Sequence, residues 1–427
     1  MLIGAVADDF TGATDLASGL RSRGLETVVV VAPAAVDPRS HAGVDAVVVA
    51  LKTRTAPVDV AVDQSTTALS WLIEAGAERL ALKYCSTFDS TDEGNIGPVL
   101  DAFRDRLGVD RAIVVPAFPA NGRTVRDGRL FVGDDLLEDS PMRHHPLTPM
   151  TRSRLRDLLS PQTPTPVTEV PLGRVRAGVD ALTAALDAAP AGYLVVDAVD
   201  DDDLVTIGRA TSHHRLVSGG AGLALGFGTD DAPSPGLPDA FAHVTGRRLV
   251  VCGSASAATR GQIAHAAATH PTRKVDLTAA TTDPAAEVAA LAAWVRGLDA
   301  DSVPVVYSVG EPSDVVAPGA EPAPADGEPG QGRATAPAAV VESVLSTLVH
   351  DLVADGTVGR VVVAGGETSG AVVTALGTTA LVIGPPLGPG VCWSAATTSA
   401  GRPVALVLKS GNFGATDLFS TAWEALS

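Results

Sequence analysis

The sequence predicts an α/β protein with two domains, each a mostly parallel β-sheet flanked by helices, and with a cleft between the domains. Short Val-rich segments alternate with amphipathic segments in both halves of the chain, as in strands joined by crossover helices. The chain has 427 residues, more than one hydrophobic core usually supports. Aromatic residues make up only 4% of it, so Val, Ala and Leu must fill the cores, which suits parallel strands covered by Ala/Leu helices.

The first domain is predicted to cover residues 1–230. It opens with a strand and a helix at LIGAVADDFTGATDLASGL, continues with alternating strands and helices, and closes at a strand that enters a Gly-rich turn. Residues 120–150 break this alternation and are predicted to form a long ordered loop, a kind of segment that is often functional. Asp200 to Asp203 are predicted to cap a helix.

The second domain is predicted to cover residues 246–427, after a linker at 231–245 that is rich in Pro, Gly and Asp. It begins with a strand, a small-residue turn and a helix, and further strands follow at PVVYSV and RVVVAGG. Residues 311–338 are rich in Pro, Ala, Gly and acidic residues, which predicts a flexible surface insertion.

Charge and composition narrow the class of partner. A net charge of −18 argues against nucleic acid and against an anionic membrane surface. If the ligands are anions, Lys and Arg must be concentrated locally at the ends of apolar strands. Two aspartates interrupt the apolar N-terminus, so no secretory signal is expected, and three widely spaced cysteines show no disulfide or zinc pattern. These features predict a cytoplasmic protein that binds a small molecule.

The common nucleotide and hydrolase motifs are absent from the sequence. There is no G-x-x-x-x-G-K-[ST], no exact dinucleotide fingerprint, no G-x-S-x-G and no H-E-x-x-H. This argues against P-loop, nicotinamide-dependent, serine-hydrolase and zincin chemistry. Candidate sites are therefore sought in the polar clusters that follow predicted strands, where open α/β sheets bind ligands.

Three such clusters lie in the first half. Asp8 and Asp9 follow the first strand, and either could act as a general base, although a helix cap with a solvated neighbour would look the same. Arg54 can bind a carboxylate through two parallel hydrogen bonds, although it could equally be a surface arginine. The segment Lys83–Thr91 offers hydroxyls and backbone N–H groups that suit an anion or a polyol.

The loop at 120–150 adds Arg123 and the pair His144 and His145. Adjacent histidines in extended backbone point in opposite directions, so at most one of them would face a given site.

Three small-residue turns lie in the second half. Ser254 and Ser256 follow one strand, Gly365 to Thr368 follow another, and Gly411 lies in a third turn. Backbone donors at helix N-termini can hold a polyphosphate without a lysine.

These motifs together resemble the four-carbon acid sugar kinases, which have an N-terminal substrate-binding domain and a C-terminal nucleotide-binding domain. Ala7–Ala13 is similar to the opening motif of that family, and Gly365–Gly370 to its late nucleotide motif. The segments Lys83–Thr91, Gly94–Pro98 and 142–150 look most like the 3-oxo-tetronate 4-kinase branch.

The resemblance implies transfer of the ATP γ-phosphoryl group to the C4 hydroxyl of a 3-oxo-tetronate, normally with Mg²⁺ on the phosphates. It implies that Asp8, Arg54 and Ser86–Ser90 belong to the sugar-acid site, and that Ser256, Gly365–Thr368 and Gly411 hold ATP. Asp8 is preferred to Asp9 as the base, because alternation along a strand would direct only one of them toward the cleft.

The complete candidate set has three parts. The catalytic candidates are Asp8 and Asp9. The substrate-binding candidates are Arg54, Lys83, Ser86, Thr87, Asp89, Ser90, Arg123 and His144. The ATP-binding candidates are Ser254, Ser256, Gly365, Gly366, Glu367, Thr368 and Gly411.

Several alternatives stay open at this stage. Threonate or erythronate kinases of the same family share the outer motifs, and a non-catalytic sugar-acid sensor or a nicotinamide-dependent dehydrogenase would also need an acid site. The stereochemistry of the acid, the magnesium ligands and homo-oligomer formation are not decided by the sequence.

Overall fold

The computed structural model describes residues 2–41, 43–145, 148–228, 236–311, 314 and 337–426. The chain divides into two compact units, one formed by Met1–Pro238 with Thr379–Cys392 and the other by Asp239–Thr378 with Trp393–Ser427. The predicted α/β fold with mostly parallel sheets is confirmed.

The elements up to residue 219 are, in chain order, β1 (Leu2–Ala7), α1 (Phe10–Ser22), β2 (Thr27–Val30), β3 (Ala46–Ala50), α2 (Val58–Glu74), β4 (Ala77–Lys83), α3 (Ile96–Leu107), β5 (Arg111–Val115), β6 (Arg123–Arg126), β7 (Arg129–Val132), β8 (Asp135–Leu136), α4 (Leu155–Leu159), β9 (Val167–Val170), α5 (Leu172–Val175), α6 (Val179–Ala188), β10 (Gly192–Val196), α7 (Asp201–Ala210) and β11 (Leu216–Gly219).

The elements from residue 247 onward are β12 (Arg247–Cys252), α8 (Ala257–Ala266), β13 (Thr272–Lys274), α9 (Leu277–Thr282), α10 (Pro284–Gly297), β14 (Val305–Tyr307), α11 (Pro337–Ala354), β15 (Val358–Ala364), α12 (Gly366–Ala375), β16 (Ala380–Gly388), β17 (Val391–Thr397), β18 (Pro403–Lys409) and α13 (Leu418–Thr421).

The first unit is built on a sheet with the strand order β16-β2-β3-β1-β4-β11-β5-β10-β9. Its pairings are parallel except for the antiparallel pair of β16 with β2. Its central strands read as continuous Val, Ala and Leu runs because both faces are buried under helices. Val47, Val48 and Val49 of β3, for example, are fully buried.

Strand β16 lies in a different unit from the one predicted for its residues. Residues 246–427 were all assigned to the second domain, but 379–392 belongs to the first unit, where Leu381 of β16 pairs with Val29 of β2. The physical reason is that β2 would otherwise be an exposed edge of Val residues with unpaired backbone groups.

The predicted loop at 120–150 contains more regular structure than expected. Strands β6, β7 and β8 form a small antiparallel sheet of their own. Asp127 and Gly128 form the turn between β6 and β7, both with positive φ, which allows the tight reversal. The predicted capping at 200–203 is confirmed: Asp200 and Asp203 form a capping box at the start of α7.

The second unit has the sheet order β13-β14-β12-β15-β18-β17, parallel except for the pairing of β17 with β18. The predicted linker at 231–245 is only partly described; Asp239–Phe241 forms a 3₁₀ turn, and Phe241 is buried. Of the predicted insertion at 311–338, residues 312–313 and 315–336 lie outside the described residues, while Pro337 and Ala338 begin α11.

Among the described helices, α11 is the one long and apolar enough to cross a membrane by length and composition. Nine of its residues are buried within the protein, which is the behaviour of a core helix.

Candidate functional site

The register of the first sheet brings three predicted polar clusters to the same edge. Ala7, the last residue of β1, pairs with Ala50 of β3 on one side and with Lys83 of β4 on the other. The segments that follow these strands therefore start side by side. The backbone carbonyl of Asp8 accepts hydrogen bonds from the N–H groups of Thr53 and Arg54 at 3.0 and 3.2 Å.

Arg54 joins both predicted catalytic carboxylates. Its Nε and Nη2 donate to Asp8 Oδ2 and Oδ1 at 2.9 and 2.7 Å, and Nη2 also donates to Asp9 Oδ1 at 2.9 Å. The expectation that strand alternation separates the two aspartates is wrong, because β1 ends at Ala7. Asp9 is the N-cap of α1, where its side chain accepts from the Gly12 N–H at 2.9 Å.

These contacts alter the proton affinities of the two carboxyl groups in opposite directions. Burial raises the pKa of Asp8 and prevails over the attraction of Arg54. Burial would also raise the pKa of Asp9, but Arg54, Lys83 and hydrogen bonds from Thr11 and Gly12 outweigh it and lower that pKa. Both carboxylates in turn hold the pKa of Arg54 well above its usual value, despite burial.

The predicted carboxylate-binding role of Arg54 is limited by these bonds. Its Nε–H and both hydrogens of Nη2 are directed to Asp8 and Asp9, so only Nη1 is left for an acid ligand. In this arrangement Arg54 fixes the positions of Asp8 and Asp9, which form an acidic cluster with it. It does not offer two parallel hydrogen bonds to the carboxylate of a ligand.

The predicted segment Lys83–Thr91 is internally bonded and mostly buried, with Cys85 and Ser86 half-buried and Thr91 exposed. Lys83 Nζ donates to the carbonyl of Tyr84 at 2.9 Å, and Thr87 Oγ1 donates to Asp89 at 2.5 Å. Phe88 has a φ of 54°, a left-handed conformation that costs energy for an aromatic residue. Such strain often marks a functional turn.

A small pocket lies in this cluster. It is lined by Asp8, Arg54, Asp89, Ser90 and Asn95, among others, and its volume is about 20 Å³. That is room for about one water molecule. The Ser90 Oγ is buried there without a hydrogen-bond partner. The pocket as it stands admits water but not a four-carbon acid.

Asn95 lies in the segment Gly94–Pro98 but is not among the predicted site residues. Its Nδ2 donates to the carbonyls of Thr53, Arg54 and Ala56 at 2.7, 3.3 and 2.9 Å, which holds the loop that carries Arg54. Its position just before α3 is the sequence signal that could have singled it out.

Asp15 is a second residue that the candidate set missed. It lies within α1, is only 7% exposed, and lines a cavity of about 240 Å³ together with Ser18, Ser22 and Phe118. Burial raises its pKa to about 7, although Lys83 and Arg123 favour the charged form. A single acid within an otherwise small-residue helix, FTGATDLASGL, is the signal in the sequence.

The two predicted site residues of the 120–150 segment, Arg123 and His144, differ in burial and in hydrogen bonding. Arg123 Nη1 donates to the carbonyl of Asn121, and its Nε is buried without a partner. His144 is exposed, and in the described part of the chain no hydrogen bond links it to the residues around Asp8. His145 instead accepts a hydrogen bond from the Thr148 N–H at 3.1 Å, if its Nδ1 carries no proton. Ser86 is half-buried, next to Gly220.

In the second unit, three predicted turns are neighbours. Cys252 at the end of β12 pairs with Ala364 of β15, which pairs with Lys409 of β18. The three turns that follow these strands therefore lie together. A Cβ on Gly253 would lie 2.1 Å from Thr368 Oγ1, and a Cβ on Gly411 would lie 2.2 Å from Ser254 Oγ, so the turns pack closely.

A cavity of about 360 Å³ opens at two of these turns. Its lining includes all four residues from Gly365 to Thr368, together with Gly253 and Ser254. Gly365 has a φ of 134°, a conformation that L side chains rarely adopt, and it precedes α12. The first N–H groups of this ten-residue helix carry the positive end of its dipole and suit a phosphate.

Ser256 and Gly411 support this cavity and do not line it. The Gly411 carbonyl accepts from Ser256 Oγ at 2.6 Å, from Thr259 Oγ1 at 2.8 Å and from Lys409 Nζ at 3.2 Å. Lys409 is fully buried, and burial lowers its pKa to about 8. Lys409 is the kind of lysine at an apolar strand end that an anion site was expected to need, but it had no assigned role.

Carboxylates that could hold a metal are present near this cavity. Asp314, Glu342 and Glu367 are among its lining residues, and carboxylate oxygens suit Mg²⁺. In the first unit, Asp187, His213 and His214 place their ligand atoms within 4.8 Å of one another. A hydrogen bond of 2.9 Å between Asp187 and His213 accounts for that group without a metal.

Two family models match the chain, each over one predicted domain. Residues 3–227 match a sugar-binding N-terminal domain, and residues 249–419 match a nucleotide-binding C-terminal domain.

Three relatives that match this chain over nearly their full length have the same name. The chain is 44% identical to a 3-oxo-tetronate kinase from Cupriavidus necator, with 100% of this chain and 97% of the relative covered. It is 42% identical to one from Pseudomonas fluorescens, with 100% and 97% covered, and 41% identical to one from Salmonella typhimurium, with 98% of each covered.

Two solved structures have the same fold over their whole length. One, from Salmonella typhimurium LT2 and solved under the name of a tRNA synthase, has a TM-score of 0.84 and 39% identity, covering 99% of this chain and 98% of that one. The other, a Haemophilus influenzae protein of the DUF1537 family, has a TM-score of 0.77 and 36% identity, covering 99% and 100%.

The fold and the site in each unit define a phosphotransferase with separate sugar-binding and nucleotide-binding domains. The chain belongs to the four-carbon acid sugar kinase family.

Proposed function

We propose that the protein uses ATP to phosphorylate the C4 hydroxyl of a 3-oxo-tetronate, giving the 4-phosphate in the catabolism of four-carbon acid sugars. The observation that carries the proposal is the cavity at Gly365–Thr368, because a glycine turn before a helix N-terminus supplies backbone donors for a polyphosphate. The relatives named 3-oxo-tetronate kinase support the choice of acid.

In this proposal the second unit binds ATP. The backbone N–H groups of Gly366, Glu367 and Thr368 bind phosphate oxygens, and Ser254 contributes from the neighbouring turn. Ser256 and Gly411 fix the shape of the site through the hydrogen bond between them. Mg²⁺ on the phosphates would neutralise charge as the γ-phosphoryl group moves, and the carboxylates that line the cavity are those of Asp314, Glu342 and Glu367.

The first unit binds the sugar acid. Arg54 holds Asp8 and Asp9 in place, while Lys83 and Arg123 supply the positive charge that an acid needs in a protein of net charge −18. Ser86, Thr87, Asp89 and Ser90 stay candidates for its hydroxyls. This chemistry depends mainly on position and on charge stabilisation, so a rigid, bonded site is an advantage.

The test is an assay of ADP release with Mg-ATP and each of the 3-oxo-tetronates, threonate and erythronate. We expect turnover with a 3-oxo-tetronate, and phosphorus NMR should show the new phosphate on C4. Turnover with threonate or erythronate alone would assign the protein to a sibling activity. Acid binding without any ADP release would instead support a sensor, and in that case a Gly366→Val change would leave acid binding unaltered.

The proposal also covers the partners of the protein, its location in the cell and its oligomeric state. The partners are the sugar acid and ATP, and a cytoplasmic location fits an enzyme that consumes ATP. The sequence leaves homo-oligomer formation open, and sedimentation analysis can test it.

A further inference from the structure

The two carboxylates first considered as bases have their acceptor positions engaged. Both oxygens of Asp8 accept from Arg54. Asp9 Oδ1 accepts from Arg54 and from the Gly12 N–H, and Oδ2 accepts from Thr11 at 2.9 Å. For Asp9, the hydrogen bonds to the charged form lower the pKa and make it a weaker base. For Asp8, whose pKa burial raises, Arg54 occupies both carboxylate oxygens. The pocket beside Asp8, at about 20 Å³, also has no room for the acid.

Asp15 is placed differently in the same unit. In the described part of the chain, its carboxylate makes no hydrogen bond, and it lines a cavity of about 240 Å³, against about 20 Å³ beside Asp8. Ser18, Ser22 and Phe118 line the same cavity. This combination of polar groups and an apolar wall suits a small hydroxy acid.

The charges that face Asp15 come from several elements. Lys83 at the end of β4 and Arg123 at the start of β6 favour its ionised form, and Asp9 before α1 disfavours it. Asp201 of α7 lines the same cavity. The charge of Asp15 also helps to raise the pKa of the buried Cys392 thiol in β17. Burial outweighs the two cations, so the Asp15 carboxyl exchanges its proton near neutral pH, where a general base works best.

We propose that Asp15 is the catalytic base of the phosphoryl transfer, an assignment that rests on the proposed kinase function. The Asp15 carboxylate takes the proton from the C4 hydroxyl as that oxygen forms a bond to the γ-phosphorus of ATP. The bond from the γ-phosphorus to the β,γ-bridging oxygen breaks, and ADP leaves. The protonated Asp15 then returns its proton to solvent, which restores the starting state.

Lys83 connects this base with the acidic cluster. Its ammonium group acts on Asp15 as well as on Asp8 and Asp9, and it lies 2.9 Å from the position that a Cβ on Gly12 would occupy. Asp8, Asp9 and Arg54 therefore act as positioning residues, because they keep Lys83 and the start of α1 in place.

The test compares Asp15→Asn with the unaltered protein in steady-state kinetics with Mg-ATP and a 3-oxo-tetronate, from pH 5.5 to 9. We expect kcat for Asp15→Asn to fall by about 10²–10⁴-fold, with the KM for the acid changed only a few-fold. The unaltered protein should show kcat/KM rising with pH up to about 7, and the variant should lack this rise. Asp15→Glu should keep the rise at a reduced kcat, because it keeps a carboxylate.

Asp202→Asn is the matched control, since it removes an exposed carboxylate outside the cavity lining. It should leave both kcat and the pH profile unaltered. An Asp15→Asn protein that keeps kcat within threefold, or keeps the rise below pH 7, would overturn the base assignment alone. Absence of ADP release by the unaltered protein would overturn the proposed function and the assignment together.

Discussion

Arg54 and Asp8 form two parallel hydrogen bonds, 2.9 Å from Nε to Oδ2 and 2.7 Å from Nη2 to Oδ1. The pair joins the segment after β3 to the segment after β1, and the backbone repeats the connection through the Arg54 N–H and the Asp8 carbonyl. The side chains are only 23% and 14% exposed, so solvent screens the pair weakly. A planar guanidinium is what this two-pronged geometry requires.

Removal of Arg54 should therefore leave two neighbouring carboxylates without their counter-charge. We expect Arg54→Met to lower the free energy of unfolding by about 2–3 kcal/mol at pH 7, as measured by urea denaturation. Arg54→Met combined with Asp8→Asn should recover part of this loss. Additive effects of the two changes would show that the pair contributes nothing beyond its separate members.

Gly253 should tolerate no side chain. A Cβ there would lie 2.1 Å from the buried Thr368 Oγ1. Gly253→Ala must therefore push apart the turns that border the cavity at Gly365–Thr368. We expect the KM for ATP to rise at least about tenfold with little change in the KM for the acid, because a displacement of about 1 Å has effects of this size.

Gly261 provides the matched control in the same unit, because it lies inside α8 and a Cβ there meets nothing within 4 Å. Gly261→Ala should leave the KM for ATP unaltered and raise stability by about 0.5–1 kcal/mol. Equal kinetic effects of the two substitutions would contradict the role assigned to the Gly253 turn.

Ionisation of the Asp15 carboxyl group should lower the stability of the folded protein as the pH rises. Its folded pKa of about 7 lies above the unfolded value of 3.8, so the stability that its protonated form gives is complete below about pH 4 and is lost as the pH rises through 7. Asp15→Asn removes this titration. We expect the variant to unfold at a higher temperature than the unaltered protein at pH 8, with the difference shrinking toward pH 5. A difference that does not vary with pH would show that Asp15 has an ordinary pKa.

Lys409 should show the opposite dependence on pH. Its folded pKa of about 8 lies below the ordinary lysine pKa of 10.5, so above pH 8 the folded state loses the proton while the unfolded state keeps it, and stability rises. Relative to Lys409→Met, the unaltered protein should gain on the order of 3 kcal/mol between about pH 8 and pH 10.5. The variant should also have a higher KM for ATP, since the Gly411 turn loses a donor. Parallel stability curves for the two proteins would refute this.

The sequence could predict which polar segments lie at the same edge of the sheet, because that depends only on strand order along the chain. Parallel strands place the segments after them at one edge, so Asp8, Arg54 and Lys83 meet as expected. What single side chains do there depends on contacts between distant segments. Arg54 turned out to bind Asp8 and Asp9, and no local pattern shows that an arginine's partners are within the protein.

Asp15 and β16 were missed for related reasons. Asp15 becomes notable only through its burial next to a cavity, and burial of one helix face is decided by the elements that pack on it. The strand at 380–388 has the composition of any buried strand, and its pairing with β2, some 350 residues earlier, leaves no trace in either segment.

The pairing of β16 with β2 also has a consequence for synthesis of the chain on the ribosome. Domains usually fold in order as they emerge, N-terminal first. Here the first sheet lacks β16 until residues 379–392 have been translated, after most of the second unit. The nascent first unit must wait with the β2 edge open, and a fragment that stops at residue 238 should need a chaperone or aggregate through that edge.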